Sequence, residues 1–424
     1  VPPTGSSIRF DRQHEPEDSN GKPVFGFLTA LGIVVGVALR AYWAILLPFN
    51  HAPDEAHHFP MVRYLRTEWR PPTMADVPAR VPVSYAALPP LGYLPCVMAL
   101  MATTPDDELA FRYSRFGNVV IGALSLWIAA FTARCIFPQA VVVLVTWVLA
   151  LHPQFTFLHA YTNNDASANL ACVVLWYIWI RIAQRGLTAG NAIGLGAAAG
   201  IGLLCKPNTL GIAIAGLPLL ILQVRAMNSS IWRLLRRAAL GSMIVLAIVA
   251  PWIVWSRHSH GDFWGIRTHR DWWLAHISRI GESQRFLDRR SFDVFVVNTW
   301  KSFWASFGYC DVWLDSLHYL ALDVAFGLAV GVVVTRWRVI ATLLAARLGG
   351  MVGGVVLSVA TGVILISALH AVHSATFGLA PQGRYVMPVI WPAATVLALG
   401  FWLLRPFRNG AQPWRRLTGP LSIV

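Results

Sequence analysis

Two acidic side chains stand side by side in His51-Ala52-Pro53-Asp54-Glu55-Ala56-His57-His58-Phe59, directly after an apolar run. A carboxylate placed this way can serve as a general base, taking the proton from an attacking hydroxyl or amine. Pro53 suits a first helical position, and Asp54 and Glu55 suit a first turn, where the helix dipole favours negative charge. Helix capping is therefore one reading of the pair. Two adjacent carboxylates at a bilayer surface are costly without a partner or a task, which argues for a functional one. Asp54, His57 and His58 are spaced i, i+3 and i+4, so they share a helix face and could hold a divalent metal, with Asp165 as a further ligand; a satisfied interfacial histidine pair is the alternative. The letters Asp54-Glu55-Ala56-His57 also spell a helicase box, but no phosphate-binding Gly-x-x-x-x-Gly-Lys-Ser/Thr occurs in the chain, which removes that reading.

Further charged residues recur at the ends of apolar runs. Asp165 follows Asn163 and Asn164, where it either caps a helix or faces the same side as Asp54. Lys206 lies in Cys205-Lys206-Pro207 and Arg384 in Gln382-Gly383-Arg384-Tyr385. Each either snorkels to the interface or binds a lipid phosphate, for which the arginine fork is well shaped. Arg112 and Arg115 are candidates of the same type. The segment 257–316 is rich in tryptophan (Trp264, Trp272, Trp273, Trp300, Trp304, Trp313), as expected of an interfacial belt, with some rings able to stack on a sugar.

The elements that must position these groups are helices in a bilayer. Of 424 residues, 56% are hydrophobic and 13% charged, and the mean hydropathy is +0.55. Apolar runs of bilayer-spanning length recur at 24–48, 116–135, 139–158, 164–184, 190–205, 208–224, 235–256, 317–335, 345–370 and 386–404. The expected fold is an all-α polytopic membrane protein with about ten transmembrane helices. No soluble domain fits between the runs, so 24–404 reads as one transmembrane domain, flanked by a cytoplasmic arm (1–23) and tail (405–424). The first run is too long for a signal-peptide core and lacks a small-residue cleavage site, so a retained helix is expected. The net charge of +14 is spread over short connecting segments, which records topology and gives no basic patch for nucleic acid. Cys96, Cys135, Cys172, Cys205 and Cys310 show no paired or zinc-type spacing.

The clusters Arg181/Arg185, Arg225/Arg233/Arg236/Arg237, Arg336/Arg338 and Arg405/Arg408/Arg415/Arg416 all fall on the cytoplasmic side if the N-terminus does. That arrangement requires 88–103, which carries Pro89, Pro90 and Pro95, to be re-entrant or interfacial and buried against other helices. The outward segments are then 49–87, 105–115, 159–164, the turn at Lys206, 257–316 and 371–384. The unusual polar residues collect on that outward side.

At these residues the chain resembles the C-type (GT-C) glycosyltransferases, the superfamily of protein O-mannosyltransferases, lipid A aminoarabinose transferases and oligosaccharyltransferases. It is most similar to a bacterial group with Pro-Asp-Glu-x-x-His-Phe after the first helix, here Pro53 to Phe59. Leu88-Pro89-Pro90-Leu91-Gly92-Tyr93, Asn163-Asn164-Asp165-Ala166, Lys206, Ser302-Phe303-Trp304-Ala305-Ser306-Phe307-Gly308 and Gln382-Gly383-Arg384-Tyr385 with Pro388 match in order. Two features depart from the pattern: Leu88 replaces the more usual Gln, and no large soluble domain follows the last run. The resemblance implies a GT-C-like helical bundle with an outward-facing loop region, in a bacterial cytoplasmic membrane. Its implied donor is a polyprenyl-phosphate-linked sugar, and its acceptor a glycan, lipid or protein at the outer face. Asp54 would be the general base, with Glu55 orienting the acceptor or the first outer helix and Asp165 as a second polar anchor. Lys206, Arg384, Arg112 and Arg115 would hold the donor phosphate. His57, His58, Asn164, Tyr93, Gln382, Tyr385 and Trp304 would line the cavity, with a divalent metal as a possible cofactor.

Two other readings of the same residues stay open at this point. Intramembrane charges also mark the path of a lipid-linked-sugar flippase, although the inverted repeats frequent in transporters are missing from the sequence. A non-catalytic subunit of a polysaccharide assembly system would explain the aromatic loop but not the gathering of Asp54, Glu55 and Asp165.

Overall fold

The computed structural model describes residues 22–76, 83–102, 109–226, 230–276 and 289–404. Most of the expected arm, the tail, and residues 77–82, 103–108, 227–229 and 277–288 lie outside the described residues. The chain is a helical polytopic membrane protein. Among the described residues eight helices are long and apolar enough to cross a bilayer.

The scaffold begins with α1 (Lys22–Leu46), α2 (Glu55–Glu68), the short α3 (Val83–Ala86) and α4 (Leu94–Leu100), then α5 (Ala110–Ile136). The apolar segment Leu91–Leu100 is too short to span a bilayer and lies against α5. Gly117 makes that contact feasible, because a Cβ there would fall 2.2 Å from the Pro95 carbonyl oxygen. Burial against protein is the condition under which such a segment is stable at membrane depth.

The run expected as one helix over 139–158 is broken into α6 (Gln139–Leu151) and α7 (Pro153–Leu158). Proline drives the residue before it out of helical geometry, and His152 accordingly has ψ 114. Its Nδ1 accepts the Phe155 N–H at 3.2 Å and so caps α7. The buried Arg40 of α1 donates to Leu149 O of α6 at 3.4 Å and to Gly36 O at 2.8 Å, satisfying carbonyls near the break.

Next come α8 (Asp165–Arg185) and α9 (Ala189–Cys205), the latter capped by Thr188 Oγ1 accepting from Asn191 N at 3.1 Å. The apolar run 208–224 becomes α10 (Leu210–Ala215) and α11 (Leu217–Ala226), interrupted at Gly216. It is followed by α12 (Ile231–His260), α13 (Ile266–His276) and α14 (Arg289–Trp304). A two-stranded hairpin, β1 (Ser306–Phe307) and β2 (Val312–Trp313), leads into α15 (Ser316–Thr335), α16 (Trp337–Leu348), α17 (Val352–Phe377) and α18 (Ile390–Leu404).

One core cluster joins α5, α6, α8, α9 and α18, with Trp176 and Trp391 stacked at 6.4 Å and Trp391 Nε1 donating to Ala129 O at 3.1 Å. A smaller cluster ties α2 to α4 through Phe59, Met61, Val62, Tyr93 and Val97. α8 sets the polarity of the bundle. It runs from Asp165 at one end to Arg185 at the other, where Arg237 of α12 donates to Leu187 O at 2.8 Å.

Candidate active site

Four charged groups from distant parts of the chain meet at the Asp165 end of α8. Asp54 is the residue before α2, in the left-handed region (φ 61, ψ 11), and its side chain makes no capping bond to that helix. The carboxylate turns away from the helix and takes the Arg384 guanidinium, Oδ2 to Nη2 at 2.6 Å. Asp165 is likewise released from capping, because Asn163 Oδ1 accepts the Ala166 N–H at 3.0 Å in its place. It bonds instead to Lys206 Nζ and lies 3.9 Å from Arg384 Nη1.

Lys206 is held in an extended conformation between α9 and the 3-10 turn Pro207–Thr209, and its Nζ lies 4.7 Å from the centre of the Tyr385 ring. Arg384 belongs to the 3-10 segment Gly383–Val389 that precedes α18. The neighbouring Gly383 lets this segment touch α14: a Cβ there would meet Phe303 N at 2.1 Å, and its N–H donates to Ser302 Oγ at 2.7 Å. Arg384 therefore spans both carboxylates, and its Nε has no partner among the described residues.

A cavity of about 350 Å³ opens beside this cluster. Asn164, Asp165, Lys206, Arg384, Tyr385 and His58 give it a polar end, while Leu88, Pro89, Leu210, Ile266, Leu369, Val372 and Phe377 give it an apolar wall. Such a space suits an amphiphile carrying an anionic head. Asp54 does not line this cavity; it is bonded to Arg384, which does, and 19% of its side chain is exposed. Burial pushes the Asp54 carboxyl upward, but the charge and hydrogen bond of Arg384, together with the neighbouring histidines, outweigh that and hold it well below the usual carboxylate range. His58 is pulled down to about 3 by burial and is neutral; its Nδ1 pairs with Tyr93 Oη at 2.6 Å.

Glu55, adjacent to Asp54, faces the opposite way and is fully buried. Arg115 directs all five of its N–H donors into this region. Nε donates to Glu55 Oε1 at 2.7 Å and Nη2 to Glu55 Oε2 at 2.6 Å, while the rest reach Ala44 O, Leu47 O and Pro48 O. Glu55 also accepts from the Asn50 and Thr162 backbone N–H groups, each at 3.2 Å. The pair joins the end of α1, the start of α2, α5 and the turn before α8. It leaves Arg115 no donor for a phosphate in this arrangement.

Other residues singled out from the sequence are placed unevenly. Asn164, His58 and Tyr385 line the cavity, and Tyr93 supports His58 from behind. His57 lies to one side, its ring 6.3 Å from that of Tyr85. Gln382 contributes backbone bonds to Ala380 and Tyr385 but is not in the cavity wall. Trp304 packs in the core, stacked on His152 at 5.4 Å, and Arg112 lies over Phe111 outside the cavity. Among the described residues no three of His, Cys, Asp or Glu are grouped to hold a metal ion, and Asp54 and His58 are already committed to Arg384 and Tyr93.

Tyr85, His269, His370 and His373 line the cavity and were not anticipated. His370 and His373, spaced i, i+3 on the otherwise apolar α17, were the available signal; their rings lie 5.1 and 4.6 Å from that of Tyr385.

A sequence profile of the dolichyl-phosphate-mannose-protein mannosyltransferase family matches residues 98–255. No curated protein matches the chain in sequence. The structure is similar to ArnT from Cupriavidus metallidurans in the apo state, with a TM-score of 0.55 and 15% identity over 94% of this chain and 62% of that one. It is as similar to ArnT bound to undecaprenyl phosphate, with a TM-score of 0.54 at the same identity and coverage. The oligosaccharyltransferase AglB of Archaeoglobus fulgidus, in complex with an inhibitory peptide and a dolichol-phosphate, gives a TM-score of 0.55 and 13% identity over 90% of this chain and 50% of that one. The chain thus spans about three fifths of the ArnT length and half of the AglB length. The chain shares the fold of these membrane glycosyltransferases, and its residues 98–255 match the mannosyltransferase profile.

Proposed function

We propose that the chain transfers a sugar from a polyprenyl-phosphate donor to a glycan, lipid or protein acceptor at the outer face of the cytoplasmic membrane, with inversion at the anomeric carbon. The observation that carries this reading is Arg384. It stands between Asp54 and Asp165, beside Lys206, where a cavity with one apolar wall ends in fixed cations. The donor phosphate is held by Lys206 and Arg384, and its prenyl chain lies along the apolar wall. Undecaprenyl phosphate bound to ArnT and dolichol-phosphate bound to AglB support a donor of that class.

In the reaction the acceptor oxygen or nitrogen attacks the anomeric carbon from the side opposite the phosphate. The bond from that carbon to the phosphate oxygen breaks, and its electron pair leaves with the phosphate. Asp54 takes the acceptor proton, while Lys206 and Arg384 stabilise the charge that grows on the leaving group. Asp165 holds Lys206 in place. Purified protein in nanodiscs, given a labelled polyprenyl-phosphate sugar and an envelope extract as acceptor, tests this. Asp54→Asn should lower transfer about 100- to 10,000-fold with folding intact. Transfer with retained anomeric configuration, or undiminished in Asp54→Asn, contradicts the mechanism; lipid translocation without any transfer contradicts the function.

A further inference from the structure

Asp54 is partly exposed and outside the donor cavity lining, and the segment that carries it touches the β1–β2 hairpin. Tyr309 in its loop is 47% exposed, and the hydroxyl donates to Asn50 Oδ1. Asn50 stands four residues before Asp54, so this bond joins the loop to the segment that carries the proposed base.

The hairpin is held rigidly from below. Phe307 stacks on Trp43 at 5.6 Å and meets Phe157 edge-on at 5.3 Å, and Ser306 N–H donates to Gln154 Oε1 at 2.8 Å. Its tip is also strained. Among the described non-glycine residues, φ is positive at Asn50 (62), Asp54 (61), Trp69 (51) and Cys310 (65), and all but Trp69 converge here. Each such residue costs on the order of 1–3 kcal/mol, and strain of this kind is retained where a site needs fixed geometry. The outcome is a flat, half-exposed ring fixed against Asn50, four residues before the proposed base. Asn50 also accepts the Ala56 N–H, and its amide NH2 makes no bond among the described residues.

We propose that Tyr309 and Asn50 form the acceptor subsite, and that the group they receive is a sugar ring, its C–H face on Tyr309 and a hydroxyl on the Asn50 amide. The inference rests on the transfer reaction proposed above. A carbohydrate fits because the platform offers an aromatic face and an amide donor but no cation, and because Asp54 can then take a sugar hydroxyl proton from the side opposite the donor.

The test compares Tyr309→Ala and Tyr309→Phe in the full chain in nanodiscs, with a labelled polyprenyl-phosphate sugar and an envelope glycan and glycolipid extract. Tyr309→Ala should raise the apparent KM for the extract about tenfold, in line with what one aromatic contact contributes. The donor KM, and donor hydrolysis measured without acceptor, should stay within about twofold. Tyr309→Phe, which keeps the ring and loses only the bond to Asn50, should restore most of the affinity. An unchanged acceptor KM in Tyr309→Ala overturns the proposal. So does Tyr309→Phe as impaired as Tyr309→Ala, because the hydroxyl bond rather than the ring would then be what matters. Absence of transfer by the unaltered protein tells against the reaction itself and is thereby distinguishable.

Discussion

Replacing Arg115 by Met separates a structural from a phosphate-binding role for this residue. In the folded chain the Arg115 guanidinium neutralises Glu55 and satisfies carbonyls at Ala44, Leu47 and Pro48. Met preserves much of the volume and removes every one of those bonds. The Glu55 carboxylate would then sit fully buried with only the Asn50 and Thr162 N–H groups for company. Removing one partner of a buried pair costs about 3–5 kcal/mol, because the other charge is left uncompensated. Equilibrium unfolding in mixed micelles should register a loss of that order for Arg115→Met. The double variant Glu55→Gln/Arg115→Met, which leaves no charge behind, should recover at least about 1 kcal/mol of it. Donor affinity of the folded fraction should be unaltered, while turnover falls because Asp54 loses the anchor next to it. An unchanged unfolding midpoint with weakened donor binding would refute this reasoning and make Arg115 a phosphate ligand.

Four further outcomes are expected. Lys206→Gln should raise the donor KM at least about tenfold by removing one charge-assisted contact to the phosphate, measured by donor titration in nanodiscs. Because Arg384 holds the Asp54 carboxyl below the usual range, its ionised form persists through acid pH, and the stability it adds is lost only as pH falls through that depressed value. The kcat/KM profile of the unaltered protein should thus lack an acid limb from Asp54 above about pH 4, whereas Arg384→Gln should display one, since the largest influence opposing burial is then gone. His58 is neutral in the fold with its value near 3, so the unfolded chain alone gains a proton below about pH 6.5. Between pH 7 and pH 5 that should cost up to about 2 kcal/mol, a pH sensitivity absent from the unfolding of His58→Gln. Gly383→Ala should reduce kcat more than thermal stability, because its Cβ would press on Phe303 and displace Arg384.

What was legible in the sequence follows from what a bilayer penalises. Asp54, Asp165, Lys206 and Arg384 each stand as a charge at the end of an apolar run, and such residues are rare enough there to be read individually. The four side chains meet in the fold. The resemblance separates the roles of Asp54 and Glu55, but their opposite orientations are not legible in the spacing. These depend on a left-handed backbone at Asp54 that turns neighbouring carboxylates to opposite sides. Arg112 and Arg115 are one helical turn apart, and only the packing of α1 against α5 decides that Arg115 points into the protein. Apolarity alone makes 139–158 one continuous run, because it says nothing about the missing N–H of Pro153. The resemblance implies a cavity place for Trp304, yet its ring packs against His152 and Phe303.

The resting site is electrically closed: Arg384 is shared by Asp54 and Asp165, and Lys206 is held by Asp165. On the proposed reaction, an incoming donor phosphate competes for both cations, and Asp54 cannot act as a base while its carboxylate holds Arg384. Drawing Arg384 toward the phosphate weakens its hold on Asp54, and burial then raises the carboxyl toward the range where a carboxylate accepts a proton well. The base is therefore strengthened by the same contact that binds the leaving group. A carboxylate kept weak until the donor arrives would not spend its basicity on water, and that coupling depends on Arg384 bridging both acids rather than on either acid alone.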